Sequence, residues 1–466
     1  MAFFGVFVLL NCSIQSQLTL QFTMQKELFQ PQQYLNPKWY NFKRTRLGKV
    51  YDTIPWDQLS DLLPEENRGP GAPRWFSARG MFGLMFIKAY LKISDEKLIE
   101  RFNTDYSLQI FCNKLLKDDE YIRDKAILSR VRTYMANHMD LYAMQDVLIK
   151  HWKRDMNNTG VLFMDATCYE SYVRFPTDVK LLWESCQWIF EKQLFRLCKI
   201  LSVKRPRSRY IEQKRKQGNY DRSRRKPHRK GLKRKRALIY ILSKGLKQLQ
   251  DLLNKHPQIH LCDHDRKYLR TIKKVLEQQT FLMNHPEKQI KNRIVSLPRP
   301  YIRPIVRGKE NKRVEFGMKV HMLQVDGICI IDKMDFNAFN ECTRLRFSVL
   351  KHKSLFGKCN QLGADRIYAT NANRRYATSK NIFTNFLKKG PKACSQQEIK
   401  LKKILSAVRA TVMEGSFGTH KQHYSLDKIK AKGNKREFLW VMFGTMTANA
   451  VLMSRRMQEL PLQSAA

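Results

Sequence analysis

The chain has 466 residues, and its 87 Lys and Arg against 41 Asp and Glu give a formal charge of +46. That length allows two or three domains and a sizeable core. The charge is far more than solubility requires and implies a polyanionic partner, with nucleic acid the first candidate and an anionic membrane the second. Ten cysteines without a C-x-x-C pair fit a reducing, cytoplasmic setting better than a secreted disulfide scaffold.

Residues 1–58 form an N-terminal extension. Its apolar start, "AFFGVFVLLN", lacks the positive flank of a signal peptide and is too short to span a bilayer. Polar, patterned sequence begins near Met24, which is therefore the expected translation start. Residues 59–150 read as an all-helical DNA-binding domain. "SARGMFGLMFIKAYLKI", "SDEKLIERFNTDY" and "RDKAILSRVRTYMANHMDLY" carry apolar residues at spacings of three and four. Ser94 is a good N-cap for the second segment. Arg130 and Arg132, on the polar side of the third, are candidate DNA contacts of a helix-turn-helix-like unit.

At "TGVLFMDATCYES" the period changes, and Val161 to Met164 read as a short buried strand ending on Asp165. A helical insertion follows over residues 181–297. Within it residues 204–236 form a basic, partly disordered arm, and Arg222, Arg224, Arg225 and Lys226 are its candidate phosphate contacts. His260, Cys262 and His264 lie on alternate residues, a poor match to zinc-ligand spacings.

"VEFGMKVHMLQ" and "GICIIDKMDF", separated by "VDG", read as a β-hairpin. A further strand near "CNQLGAD" leads to Asp365. Helical sequence then carries Glu414 and ends in the apolar "FLWVMFGTMTANAVLM", which reads as a buried helix rather than a membrane span. The acids at the ends of neighbouring strands and on a packed helix are expected to converge. Three clustered carboxylates repel one another unless cations offset them, so Asp165, Asp365 and Glu414 make sense as ligands for two Mg²⁺ ions, with Mn²⁺ able to substitute.

The segments "LFMDATCYES", "EFGMKVHMLQVDG", "GADRIYATNANRRY" and "RATVMEGSFGTHKQHYSLDKIKAK" resemble the DDE transposases of bacterial insertion sequences. The resemblance implies a mixed α+β chain with a ribonuclease-H-like catalytic core, over residues 151–180 and 298–456, interrupted by the basic helical insertion and preceded by the helical domain. It implies that Asp165, Asp365 and Glu414 are catalytic and bind metal, and that the partner is double-stranded DNA, bound by a homodimer. Many members carry a tyrosine-arginine-glutamate-lysine signature, and Lys421 follows Glu414 at that interval, as a candidate phosphate contact. The arginine, Arg409, by the same resemblance a candidate DNA contact, lies five positions before the glutamate where the stricter pattern wants four, and Ala407 stands at the tyrosine position. On an unbroken α-helix that one-residue offset turns the side chain by about 100°. The expected activity is DNA transposition: recognition of terminal inverted repeats, metal-dependent cleavage and strand transfer. The alternatives are a metal-dependent nuclease without strand transfer, a noncatalytic nucleic-acid-binding protein and an inactivated transposase copy.

Overall fold

The structure is a computed structural model and describes residues 37–64, 74–306, 314–388 and 394–463. The expected start at Met24 and the apolar segment before it lie outside the described residues. The chain divides into two compact units, Met1–Glu170 with Lys319–Asp335 and Phe339–Ala466, and Ser171–Met318 with Phe336–Ala338. The N-terminal helices thus belong to the same unit as Asp165 and Asp365. The second unit begins at Ser171, before the expected insertion boundary.

The strands of the described residues are β1 (Val161–Glu170), β2 (Arg303–Val306), β3 (Val314–Val325), β4 (Ile328–Asp335), β5 (Gln361–Ala364) and β6 (Phe383–Thr384). In the first unit β4 pairs with β3, followed across the sheet by β1, β5 and β6. The hairpin of β3 and β4 is antiparallel, while β1 with β5 and β5 with β6 are parallel. Asp326 and Gly327 join the hairpin with φ of 50° and 78°. Two successive positive-φ residues make the tight turn whose twist matches paired strands.

The outer edge of β4 exposes backbone groups that need partners in a buried setting. Two side-chain amides supply them. Gln145, on helix Leu141–Trp152, accepts from Ile331 N at 2.6 Å and donates to Ile331 O at 3.0 Å. Asn449, on helix Asn434–Gln463, does the same for Cys329, at 3.0 and 2.7 Å. The two amides occupy alternate residues of the strand, as a neighbouring strand would.

The helix Ala78–Leu91 is capped by Ser77, whose side chain accepts from Gly80 N. It is buried along most of its length, and Phe82 and Phe86 meet Phe443 at ring distances of 6.1 and 5.2 Å. Phe443 lies in the apolar C-terminal run, which is therefore a core helix. No described helix is long and apolar enough to cross a membrane. Ser94 caps Asp95–Phe102 through Lys97 N, as its position before that apolar pattern predicts.

The second unit has its own core, in which Leu182, Ile189, Phe190, Leu238, Leu242 and Ile272 are buried together. Tyr210 stacks on Phe190 with ring centroids 4.6 Å apart. The basic segment expected to be a partly disordered arm is instead ordered, as helix Tyr210–Arg222 and the start of helix His228–Lys255. Two of its cations are structural. Arg234 is buried and donates to Gln217 at 2.7 Å, to the Gln213 side chain at 2.6 Å and to the Gln213 carbonyl at 2.8 Å, clamping the two helices together. Lys235 pairs with Asp178 at 3.1 Å. In this unit β2 also pairs antiparallel with the first residues of β3, Arg303 opposite Gly317.

The bridging amides give a direct stability prediction. Asn449→Leu leaves both backbone groups of Cys329 without partners, so urea unfolding should show a loss of about 2–4 kcal/mol. Gln145→Leu should show a smaller one of about 1–3 kcal/mol, because the Ile331 carbonyl still accepts from Lys351 at 3.0 Å. A loss below about 0.5 kcal/mol, the size of an ordinary surface change, would mean that the strand edge does not depend on them.

Candidate active site

Strands β1 and β5 run parallel with Val161 opposite Gln361 and Met164 opposite Ala364. The next position in this register brings Asp165 beside Asp365. The two sit differently. Asp365 follows the last residue of β5 and caps the turn Arg366–Tyr368, its Oδ1 accepting from Arg366 N at 2.7 Å. Asp165 does not end its strand as expected, because β1 continues to Glu170 through residues that are all buried.

Glu414 is the first residue of helix Glu414–His423. Between this helix and Gln396–Val408 lies a single π-helical turn, Arg409–Met413. A π turn bonds each residue to the fifth along rather than the fourth. It absorbs the one-residue offset between Arg409 and Glu414, which would displace the arginine on an unbroken α-helix. Arg409 consequently faces all three acids. Its Nη1 lies 2.9 Å from Asp165 Oδ2 and 3.4 Å from Glu414 Oε1, and its Nη2 lies 4.0 Å from Asp365 Oδ1. The acids surround the guanidinium rather than one another, and among the described residues no three carboxylate, histidine or cysteine side chains stand together in a set that could hold a metal ion. Their chemistry, three hard oxygen donors, suits Mg²⁺ or Mn²⁺.

The electrostatics of the cluster depend on depth. The side chains of Asp365 and Glu414 are about half exposed, whereas those of Asp165 and Arg409 are 18% and 15% exposed. Burial pushes the Asp165 carboxyl up to about 6, aided by the negative charges of Glu341 and Asp365 and opposed by the Ala166 N–H and Arg409.

Several contacts fix the acids in place. The Asn385 side chain accepts from Ala364 N at 3.1 Å and donates to Ala364 O at 3.0 Å, holding the end of β5. Gly363 lets the elements close together, because a Cβ there would lie 2.6 Å from the Phe163 ring and 3.3 Å from Leu405 O. Tyr368, in the turn after Asp365, bonds His321 Nε2 at 2.8 Å, while His321 Nδ1 bonds Asp332 at 2.9 Å. Arg344 donates to both oxygens of Asp332, at 3.0 and 3.1 Å. Burial alone would raise the Asp332 carboxyl, but His321 and Arg344 hold it below the ordinary range. Tyr169, on β1, bonds buried His420 at 2.8 Å, and Gln324, on β3, donates to Ser416 at 2.8 Å, so the Glu414 helix is pinned to two strands. These supports are missing from the sequence-based site. The one legible signal was polar His321, Gln324 and Asp332 next to the apolar residues of the hairpin strands.

The expected DNA contacts divide. Lys421 lies on the Glu414 helix with Nζ 5.9 Å from the Tyr169 ring centroid. Arg222, Arg224, Arg225 and Lys226 are exposed at the end of helix Tyr210–Arg222 and in the loop that follows. Arg130 is exposed and paired with Asp124. Arg132 is not an available contact: its side chain is buried, bonded to both oxygens of Asp95 at 3.1 and 3.0 Å, with its guanidinium 4.9 Å from the Trp440 ring centroid. The helical period placed it on a polar face but could not show that Asp95 and Trp440 cover that face.

Residues 38–134 match the protein family described as "Transposase domain (DUF772)". This match supports a transposase family for the chain. No curated protein and no solved structure matches it.

The raised Asp165 carboxyl makes stability depend on pH. A carboxyl whose folded-state pKa lies above its unfolded value weakens the fold once ionised, and here that cost is absent below about pH 4 and complete above about pH 6. Asp165→Asn removes the buried anion. In metal-free buffer it should stabilise the protein by on the order of 2–3 kcal/mol at about pH 7.5 and by little at about pH 4. A gain that does not fade at the lower pH would refute the assignment.

Proposed function

We propose, from the transposase-domain match over residues 38–134 and the three acids gathered on Arg409, that the chain is the transposase of an insertion sequence. It binds the terminal inverted repeats of its element as a homodimer, cleaves phosphodiester bonds at the ends and joins the freed 3′-hydroxyls to target DNA. The observation that carries this reading is the convergence of Asp165, Asp365 and Glu414 from two parallel strands and a helix. The strand order β4, β3, β1, β5, β6, with Asp165 on β1 and Asp365 directly after the adjacent β5, supports reading this unit as a ribonuclease-H-like core.

Asp165, Asp365 and Glu414 would hold two Mg²⁺ ions, for which Mn²⁺ substitutes, and bound ions of this kind activate an attacking oxygen and stabilise the leaving one. The remaining work belongs to the protein's own groups. Lys421, two turns along the helix from Glu414, contacts a phosphate next to the scissile bond. The His321 and Tyr169 contacts hold the acids in one geometry, which matters because a reacting phosphate must be placed closely against its catalytic groups. The exposed cations Arg222, Arg224, Arg225 and Lys226 grip the duplex backbone.

Cleavage of a duplex carrying the element's end should require Mg²⁺ or Mn²⁺ and stop in chelator. Asp165→Asn, Asp365→Asn and Glu414→Gln should each abolish it while DNA binding in a gel-shift assay persists. Joined products on the same gel identify strand transfer. Normal cleavage by two of the three variants would remove the triad, and cleavage without joined products would reduce the protein to a nuclease.

Each neutralised phosphate contributes roughly 0.9 to the slope of log affinity against log salt. Replacing Arg222, Arg224, Arg225 and Lys226 together with Ala should therefore flatten the slope by up to about 3–4 if all four make contacts. An unchanged slope would show that this loop does not touch DNA.

A further inference from the structure

Arg409 is more than a basic residue near a catalytic centre. Its guanidinium reaches all three carboxylates within 4.0 Å and is 15% exposed. Guanidinium remains protonated under all relevant conditions, so it is a fixed positive charge standing among the acids that would hold metal. Two divalent ions on the same carboxylates would put several like charges around it, and that arrangement is strongly repulsive. The backbone beneath it is the π turn Arg409–Met413, a geometry found mostly as a single turn within α-helices and frequently at functional sites.

Resting on the metal-dependent reading above, we infer that Arg409 is an exchangeable counter-ion. It balances Asp165, Asp365 and Glu414 before the ions arrive, leaves them when the ions bind, and then pairs with a phosphate of the bound DNA. Arginine suits both partners, because its planar fork bonds carboxylate and phosphate in the same two-pronged way. The exchange couples two ligands. Divalent ions release the arginine for DNA, and DNA that holds the arginine clears the acids for ions, so each raises the affinity for the other.

The test is Mn²⁺ binding to the full chain, read by isothermal titration calorimetry rather than by activity. It is made with and without a duplex that carries the end sequence and a non-hydrolysable linkage at the cleavage position. Arg409→Gln removes the competing charge and should bind Mn²⁺ about fivefold to tenfold more tightly than wild type without DNA, the lower end of ordinary coupling between linked ligands. DNA should tighten Mn²⁺ binding to wild type by a similar factor and to Arg409→Gln by little. Arg409→Lys, which keeps the charge but loses the fork, should hold Mn²⁺ affinity without DNA near wild type and lose part of the DNA effect. Equal or weaker Mn²⁺ binding by Arg409→Gln overturns the inference, as does an equal DNA effect in Arg409→Gln and wild type. Asp165→Asn separates the two levels. If it abolishes Mn²⁺ binding while Arg409→Gln matches wild type, only the counter-ion role fails. If wild type binds no Mn²⁺, or binds it as Asp165→Asn does, the metal reading fails and the inference with it.

Discussion

The parallel pairing of β1 with β5 is the constraint on which the site rests. With Met164 opposite Ala364, the two following residues are brought side by side, and both are aspartates. A one-residue slip would send one of the two side chains to the opposite face of the sheet. Much of the surrounding structure secures this register. Asn385 ties down Ala364 on both its backbone groups, and Gly363 leaves room for Phe163 and for the helix that ends near Leu405. The buried bonds of Tyr368 to His321 and of His321 to Asp332 hold the turn that follows Asp365. From the other side, Tyr169 and Gln324 bind His420 and Ser416, which sets Glu414 at the start of its helix.

Charge gives the arrangement its meaning. In a chain of +46, exposed cations draw a polyanion to almost any surface, but three acids at one point would repel it. Acids therefore have a purpose there only with positive charge between them and a phosphate. Arg409 supplies that charge within the protein itself. On the proposed reading divalent ions supply it during reaction, and the arginine's charge remains at the site to meet the DNA.

The order of acids was legible because each lies next to a pattern with a clear period. An apolar run precedes Asp165, a short strand precedes Asp365, and helical spacing surrounds Glu414. The hairpin was legible from Asp326 and Gly327, the residue pair that accepts positive φ. Other features depend on contacts distant in sequence. The length of β1 was missed because Asp165 and the residues after it break the apolar run, though they are buried in the folded sheet. The side that Arg409 faces depends on a π turn, for which the helical period carries no signal. Arg132 and Arg234 look like DNA contacts by composition, yet Asp95 claims the first and Gln213 and Gln217 the second. Charge density identifies a basic segment, and only the fold sorts its cations into those that hold helices together and those left facing solvent.

The most direct test of the central claim, that Asp165, Asp365 and Glu414 form one metal-dependent centre, is the anomalous scattering of Mn²⁺ in crystals of the full chain. The account predicts Mn²⁺ peaks bonded to Asp165 and Asp365, with Glu414 in the same coordination set and Arg409 no longer bridging the acids. Mn²⁺ bound elsewhere while Arg409 still spans the three carboxylates would contradict it.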